Sequence, residues 1–418
     1  MAKGFQTLPG FRDFYPEECA TRNHVFDTWR DLAHRYGFVE YEAPLLEPTD
    51  LYTRKSGDEI VKQLFCFTDK GEREVSMRPE LTPSLARMAA ARQRDFKKPL
   101  KWFSIGQFFR YEKQQKGRGR EFYQFNCDIL GETSPAADAE LIALAIDLMR
   151  TLGFTEADFR IRLSDRSAWT DFAREAGVPE ERVTEFLQII DKLEREPAEK
   201  TAAKLEPLGV SLAAVHGLIA HGEAAGGSIG AIRADLAARG MADFVQVDLG
   251  IVRGLAYYTG PVFEVFDIGK GMRAVAGGGR YDSLVRLIGD VDMPACGFAM
   301  GDMVITDLIR ETPAAKARLD EALRRSRALD VYVVIAAEDR RAEALGVVQA
   351  LRGAGLRVGY PLVEAKVGRQ FQAAEEQGAA RAVIVGAEFP TLSIKDLAQR
   401  EEKASQMETL LADLGVAG

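Results

Sequence analysis

Two runs rich in aromatic and β-branched residues, Lys101–Glu112 and Arg120–Gly131, flank the short polar loop Lys113–Gly119. Such runs favour extended backbone, and a glycine-containing loop of this length joins them as an antiparallel hairpin. Side chains on a strand alternate between faces with period two. Arg110 and Glu112 therefore share a face on the first strand, and Phe122, Gln124, Asn126 and Asp128 share one on the second. Tyr123, Phe125, Cys127 and Ile129 point the other way, toward a core.

The polar face combines a guanidinium, carboxylates, amides and one flat ring. A solvated sheet face laced with charge pairs is the plain alternative, since antiparallel sheets often have one wet side. Phe122 fits a pocket better than it fits water. An arginine fork bonds two phosphate oxygens and a phenyl ring takes the face of a base, so the floor suits a nucleotide beside an amino acid.

The rest of the chain organises around this hairpin. Pro16 suits a first helical turn, Glu17 and Glu18 favour its positive end, and Val25, Phe26, Trp29, Leu32, Ala33 and Tyr36 recur at helical spacing before Gly37. A strand is expected from Phe38 to the turn at Pro44. Between Ser167 and Met241 the texture becomes alanine-, glutamate- and leucine-rich, which reads as inserted helices, and Asp243–Leu249 resumes a strand pattern. From Val331 strands and helices alternate: Val331–Ala336, Ala342–Leu351, Leu356–Tyr360, Val367–Glu376, Ala380–Val385, Leu392–Ile394 and a last helix after Ala404. That order predicts a small parallel-sheet α/β domain. The expected division is a core in two parts, 1–166 and 243–312, a helical insertion at 167–242, a linker at 313–329 and the C-terminal domain at 330–418.

With 418 residues the chain exceeds the size of one core, so two or three domains are expected. A net charge of −8 argues against a chain that coats nucleic acid indiscriminately, although Lys113, Lys116, Arg118 and Arg120 make one local basic loop. Cys19, Cys66, Cys127 and Cys296 have no Cys-x-x-Cys spacing, and His24, His34, His216 and His221 form no helical i, i+4 pair, so neither disulfides nor zinc are indicated. No apolar run approaches the roughly 18–20 residues of a membrane span, and no signal-peptide core is evident at the N-terminus, so a cytoplasmic protein without membrane attachment is expected.

Phe109-Arg110-Tyr111-Glu112, the basic loop and Arg120-Glu121-Phe122 resemble motif 2 of class II aminoacyl-tRNA synthetases. The segment Leu249–Gly260, with Arg253-Gly254-Leu255-Ala256-Tyr257-Tyr258, resembles the histidine-specific segment of the histidyl-tRNA synthetase family. Gly277-Gly278-Gly279-Arg280-Tyr281-Asp282 and the opening Gly10–Pro16 resemble the same family, so the likeness runs in order across essentially the whole chain.

The resemblance implies an α+β fold: a class II antiparallel sheet flanked by helices, carrying a helical insertion and a C-terminal α/β anticodon-binding-like domain. It implies ATP-dependent activation of L-histidine and transfer to histidine tRNA by a homodimer, with Mg2+ accompanying the ATP. Arg110 would hold the α-phosphate, Glu112 the adenine amino group, Phe122 the adenine ring and Arg118 the outer phosphates. Arg253 would lie near both the carboxylate and the α-phosphate. Glu80, Thr82, Gln124 and Asp128 would bind the substrate ammonium, and Tyr257, Tyr258 and Tyr281 would complete the histidine pocket. Asp302, near the site, would raise the local demand for cations.

Two positions depart from the family pattern. Where Gly-Leu-Glu-Arg usually ends motif 3, this chain has Gly301-Asp302-Met303-Val304, and Ala256 stands where an acidic residue is usual. Such changes also suit an alternative, a synthetase-like regulatory subunit of ATP phosphoribosyltransferase. Arg110, Arg253 and the C-terminal domain argue for the enzyme.

Overall fold

A computed structural model describes residues 5–53, 61–113, 115–194, 196–221, 227–253 and 257–416. Ala256 and Gln114 lie outside the described residues. The chain divides into two compact units, one ending at Leu319 and one beginning at Asp320.

In the first unit the strands are β1 (Val39–Glu40), β2 (Leu46–Pro48), β3 (Phe65–Thr68), β4 (Glu74–Met77), β5 (Leu100–Phe109), β6 (Glu121–Leu130), β7 (Phe159–Asp165), β8 (Val245–Val247), β9 (Pro261–Asp267), β10 (Ala276–Arg280) and β11 (Ala295–Gly301). Among the described residues, eight of them form one sheet in the order β1-β5-β6-β11-β10-β9-β7-β8, and β2-β4-β3 form a small one. The interior of the large sheet is antiparallel, as expected, while β1 and β8 at its edges run parallel to their neighbours. The β5–β6 hairpin pairs Leu100 with Leu130 and Phe109 with Glu121. β5 ends three residues earlier than the aromatic run suggests. Tyr111 gives its N–H to the Gln63 carbonyl at 2.7 Å, so Arg110 is the last residue still bonded across the hairpin, to the Arg120 carbonyl at 2.9 Å.

The first helix, Pro16–Arg35, covers one face of this sheet. Proline opens it, Glu17 and Glu18 lie in its first turn, and Gly37 follows with φ +75°, a conformation glycine adopts without a Cβ clash. Its buried Trp29 stacks on Phe125 of β6 at 5.7 Å between centroids and donates to the Met300 sulfur of β11 at 3.3 Å. Phe125, Cys127 and Ile129 are buried here, which is the packing face predicted by alternation. The other face stays free for chemistry.

Four helices, Arg166–Glu175, Val183–Ile190, Ala198–Leu205 and Leu212–His221, follow β7 and share an apolar cluster centred on Trp169, Phe186, Ile190 and Leu205. That cluster also contains Leu249 and Val252 of the returning chain. Helix Gly227–Ala238 packs instead along helix Pro135–Leu152, where Arg239 meets Glu140 at 2.8 Å. Most of the segment read as a linker, 313–329, is the helix Pro313–Arg327, with Ala315 and Leu319 buried.

The second unit has β12 (Val331–Ile335), β13 (Val358–Gly359), β14 (Arg381–Val385), β15 (Thr391–Asp396) and β16 (Glu402–Gln406) in the order β13-β12-β14-β15-β16. β13, β12 and β14 are parallel; β15 and β16 are antiparallel additions. The all-parallel expectation therefore holds only for the first three strands, because the turn from Gly386 to Pro390 is too short for a crossover and returns the chain as a hairpin. The helix expected after Ala404 is preceded by β16, in which Ala404 pairs with Ser393. The helix itself is only Leu410–Asp413.

Candidate active site

The face of the large sheet opposite Trp29 is paved with small residues. Cross-strand partners point the same way, so the register places Phe122, Gln124, Asn126 and Asp128 of β6 beside Gly301, Ala299 and Gly297 of β11, with Gly279 and Gly277 of β10 and then Val262 and Glu264 of β9 beyond. The centre of this floor is glycine and alanine. Larger groups stand at its margins and lean across it.

At one margin the Arg110 guanidinium lies over the Phe122 ring, 5.2 Å from its centroid, and its Nε donates to the Pro79 carbonyl at 2.9 Å. Phe122 leans on Phe108. Glu112 and Arg118 form an ion pair at 2.7 Å across the mouth of the loop. Glu80 is buried, accepts from the Tyr257 hydroxyl at 3.1 Å, and among the described residues its Oε1 has no hydrogen-bond partner. Burial pushes the Glu80 carboxyl up, while Arg110 and the Tyr257 bond oppose the shift. Thr82, opening helix Thr82–Ala91, also bonds Tyr257 through its side chain. The Tyr257 ring is 5.0 Å from that of Tyr258 and 5.8 Å from that of Tyr281.

At the other margin Arg253 adopts φ +56°, a left-handed conformation that costs a non-glycine residue energy and needs outside support. Arg166 of the first inserted helix supplies some of it, donating to the Arg253 carbonyl at 3.2 Å. The side chain then reaches over β10: Nη1 is 3.3 Å from Glu264, and the guanidinium lies 5.6 Å from the Tyr258 centroid. Gly277 makes this reach possible.

The structure joins Glu80, Thr82, Tyr257, Tyr258, Tyr281, Asp128 and Arg253 in one chain of interactions, and Arg110, over Phe122, is bonded to the Pro79 carbonyl beside Glu80. Gln124 shares the face between Phe122 and Asp128, with glycines on both neighbouring strands, Gly106 and Gly301. Asp128 accepts the Tyr281 hydroxyl. Burial raises its carboxyl to about 7 despite that bond. Gly297 clears the space: a Cβ there would fall 1.9 Å from Asp128 Oδ1.

Several supporting residues have no signal in local periodicity. Arg78 is fully buried, lies 4.8 Å from the Phe108 centroid, and bonds Glu42, the Ala43 carbonyl and the Gln107 carbonyl. Glu264 is a half-buried carboxylate that holds Arg253 and is visible only once β9 and β10 are paired. Arg280 and Asp138 form a buried pair at the edge of the tyrosine cluster, with Arg280 also donating to the Glu132 and Ser134 carbonyls.

The expectation that Asp302 would draw additional cations does not hold. Its carboxylate meets Arg12 at 2.9 Å and accepts the Tyr123 N–H at 2.9 Å, so its charge is already answered within the fold. Val304 packs against the loop, where a Cβ on Gly117 would touch it at 3.0 Å. Among the described residues there is no group of three or more histidine, cysteine, aspartate or glutamate side chains arranged to hold a metal ion.

The geometry has counterparts among known proteins. Residues 10–303 match the family model described as histidyl-tRNA synthetase, and residues 330–414 match an anticodon binding domain. A histidine–tRNA ligase of Opitutus terrae is 44% identical, with 95% of each chain covered. A chloroplastic and mitochondrial histidine–tRNA ligase of Arabidopsis thaliana is 38% identical, covering 97% of this chain and 85% of that one. The crystal structure of a histidyl-tRNA synthetase from a Nostoc species superposes with a TM-score of 0.78 at 25% identity over 99% of each chain. With the arginines, the tyrosine cluster and the glycine floor carried in order on a matching fold, the chain belongs to the histidyl-tRNA synthetase family.

Proposed function

We propose that the glycine-paved face is where this histidine–tRNA ligase activates its amino acid. The histidine carboxylate attacks the α-phosphorus of ATP, pyrophosphate leaves, and the terminal ribose hydroxyl of histidine tRNA then attacks the carbonyl carbon of the aminoacyl-adenylate, breaking the acyl–phosphate bond and releasing AMP and a proton. Such chemistry needs positioning and charge stabilisation rather than a nucleophilic side chain. The observation that carries the reading is the pair of arginines, Arg110 and Arg253, leaning from opposite margins over a floor of glycine and alanine. An anion between them is met from both sides.

In this reading Phe122 stacks on adenine, Glu112 accepts from its amino group after exchanging its bond to Arg118, and Arg118 turns to the outer phosphates. Arg110 and Arg253 hold the α-phosphate as charge builds on it. Glu80, Thr82 and Gln124 take the substrate ammonium, the Glu80 oxygen that has no partner among the described residues being an acceptor in want of a donor. Asp128 moves from the ammonium group to the imidazole end, because its partner is Tyr281. With Tyr257, Tyr258 and Tyr281 it forms a pocket whose carboxylate can accept an imidazole N–H, a demand that a purely apolar side chain cannot meet.

Magnesium enters as part of the nucleotide substrate, neutralising its phosphates; the described residues offer no cluster to hold it as a resident ion. The second unit, matched to an anticodon binding domain, is assigned the distal end of the tRNA. A homodimer through the first helix and β1 accords with exposed Val39, Leu45 and Leu46 beside the open sheet edge. Among the described residues no helix is long and apolar enough to cross a membrane, and the cytoplasm supplies all three substrates. The regulatory-subunit alternative is not favoured, since the relatives are ligases over nearly the whole chain and the C-terminal unit is present.

Histidine-dependent exchange of pyrophosphate into ATP, followed by charging of histidine tRNA, tests the assignment. Absence of both with folded protein overturns it.

A further inference from the structure

The triphosphate end of the site lacks the arginine that the resemblance places at position 304, and the fold offers another cation at the same loop. Arg118 and Gln115 face each other across a tight turn, the Arg118 N–H donating to the Gln115 carbonyl at 2.9 Å. Val304 touches this turn at Gly117. Arg273 comes to it from the connection between β9 and β10, donating from Nη2 to the Gln115 side-chain carbonyl. The Arg273 guanidinium thus reaches the same turn that carries Arg118, whose own guanidinium pairs with Glu112.

The position of Arg273 is built rather than incidental. Asp267 at the end of β9 accepts the N–H groups of Lys270 and Met272 at 2.6 and 2.8 Å, folding the connection, and the Val275 N–H returns to the Val265 carbonyl at 2.8 Å. Lys270 is tied to Thr312, just beyond the helix Asp302–Glu311 that carries Val304. The basic groups around the turn are knit into the same surface: Arg12 meets Asp302, Lys116 meets Glu311, and Arg118 meets Glu112. A cavity of about 330 Å³ opens at the turn, lined by Gly10, Arg12, Gln115, Arg118 and Met303 among others.

Resting on the function assigned above, we propose that Arg273 binds the outer phosphates of ATP together with Arg118, replacing the cation absent at Val304. A polyphosphate spreads its charge over several oxygens, so two planar forks based at one turn can share it. Gln115 holds Arg273 at the loop before the nucleotide arrives.

The test is histidine-dependent pyrophosphate exchange with the full-length protein. Arg273→Ala should raise the KM for ATP roughly ten- to a hundredfold, the size of a charge-assisted contact, and leave the KM for histidine within about twofold. Val304→Arg, placed in the Arg273→Ala background, should recover most of the loss. Gln115→Ala should cost less than about threefold, because the cation remains. An Arg273→Ala enzyme matching wild type overturns the proposal. So does a Gln115→Ala variant that reproduces the whole Arg273→Ala defect, since Arg273 would then only steady the loop. Wild-type protein with no exchange at all overturns the functional reading itself, a result distinct from either.

Discussion

Gly277 and Arg253 share one space: a Cβ built on Gly277 would lie 1.4 Å from Arg253 Nη1. The glycine is there for the arginine. Its own strand conformation does not require it, since Gly277 has no positive φ, unlike Gly37.

Gly277→Ala should therefore act as an arginine mutation. The methyl group lies inside a rigid sheet and the guanidinium must leave, so activation should fall by about 10² to 10³, as for Arg253→Ala. Combining the two should add little. Single-turnover adenylate formation checks this: a Gly277→Ala enzyme with wild-type activation rate would remove Arg253 from its proposed place.

Asp128 gives a prediction in pH. Its carboxyl is raised from 3.8 to about 7 by burial, so the folded state binds a proton that the unfolded state has released. The stability that this group contributes is full below about pH 4 and declines as pH rises toward 7, by on the order of 4 kcal/mol for a shift of this size. Asp128→Asn should flatten that part of the stability profile. Urea unfolding at pH 4.5 and pH 7.5 measures it, and an unchanged difference between wild type and variant would refute the assigned titration.

The Arg280–Asp138 pair should be a structural latch. Both side chains are almost fully buried, and Asp138 is also pushed up to about 6 by burial against the pull of Arg280. Asp138→Ala leaves the buried guanidinium only the half-exposed Asp282 carboxylate at 3.2 Å and should destabilise the protein by about 3 kcal/mol. Chemical denaturation reads this directly, and a loss below about 1 kcal/mol would count against it.

Ending the chain at Leu329 removes the sheet of the second unit, from Val331 on, and keeps the helix Pro313–Arg327. Histidine-dependent pyrophosphate exchange should persist while tRNA charging falls strongly, provided the quaternary state is unchanged. Equal charging by the short and full-length chains would refute the tRNA assignment of that unit.

The parts of the fold legible in the sequence are those set by short-range periodicity. The β5–β6 hairpin, the helix from Pro16 and its glycine stop, and the helical texture after Ser167 all follow from spacing and turn chemistry. The end of β5 does not, because a donor captured by Gln63 decides it from far along the chain. Nor does β16, which no local pattern marks and which forms because Ile394 and Lys395 of β15 pair with Lys403 and Glu402. In the site, Arg110 and Phe122 could be placed together by alternation. Glu264, Gly277 and Gly297 could not, since each matters only through a neighbour on another strand. Asp128 is legible as a carboxylate on the right face, but its partner Tyr281 is distant in sequence.

Trp169 donates its indole N–H to the Leu249 carbonyl at 2.7 Å, and Leu249 and Val252 lie in the apolar cluster of the inserted helices. The inserted helices are thus a splint for the segment that ends in the left-handed turn at Arg253. A minimal catalytic core made by trimming them would keep every reactive side chain and still lose its brace, leaving that arginine to relax toward ordinary backbone angles and swing off the glycine floor.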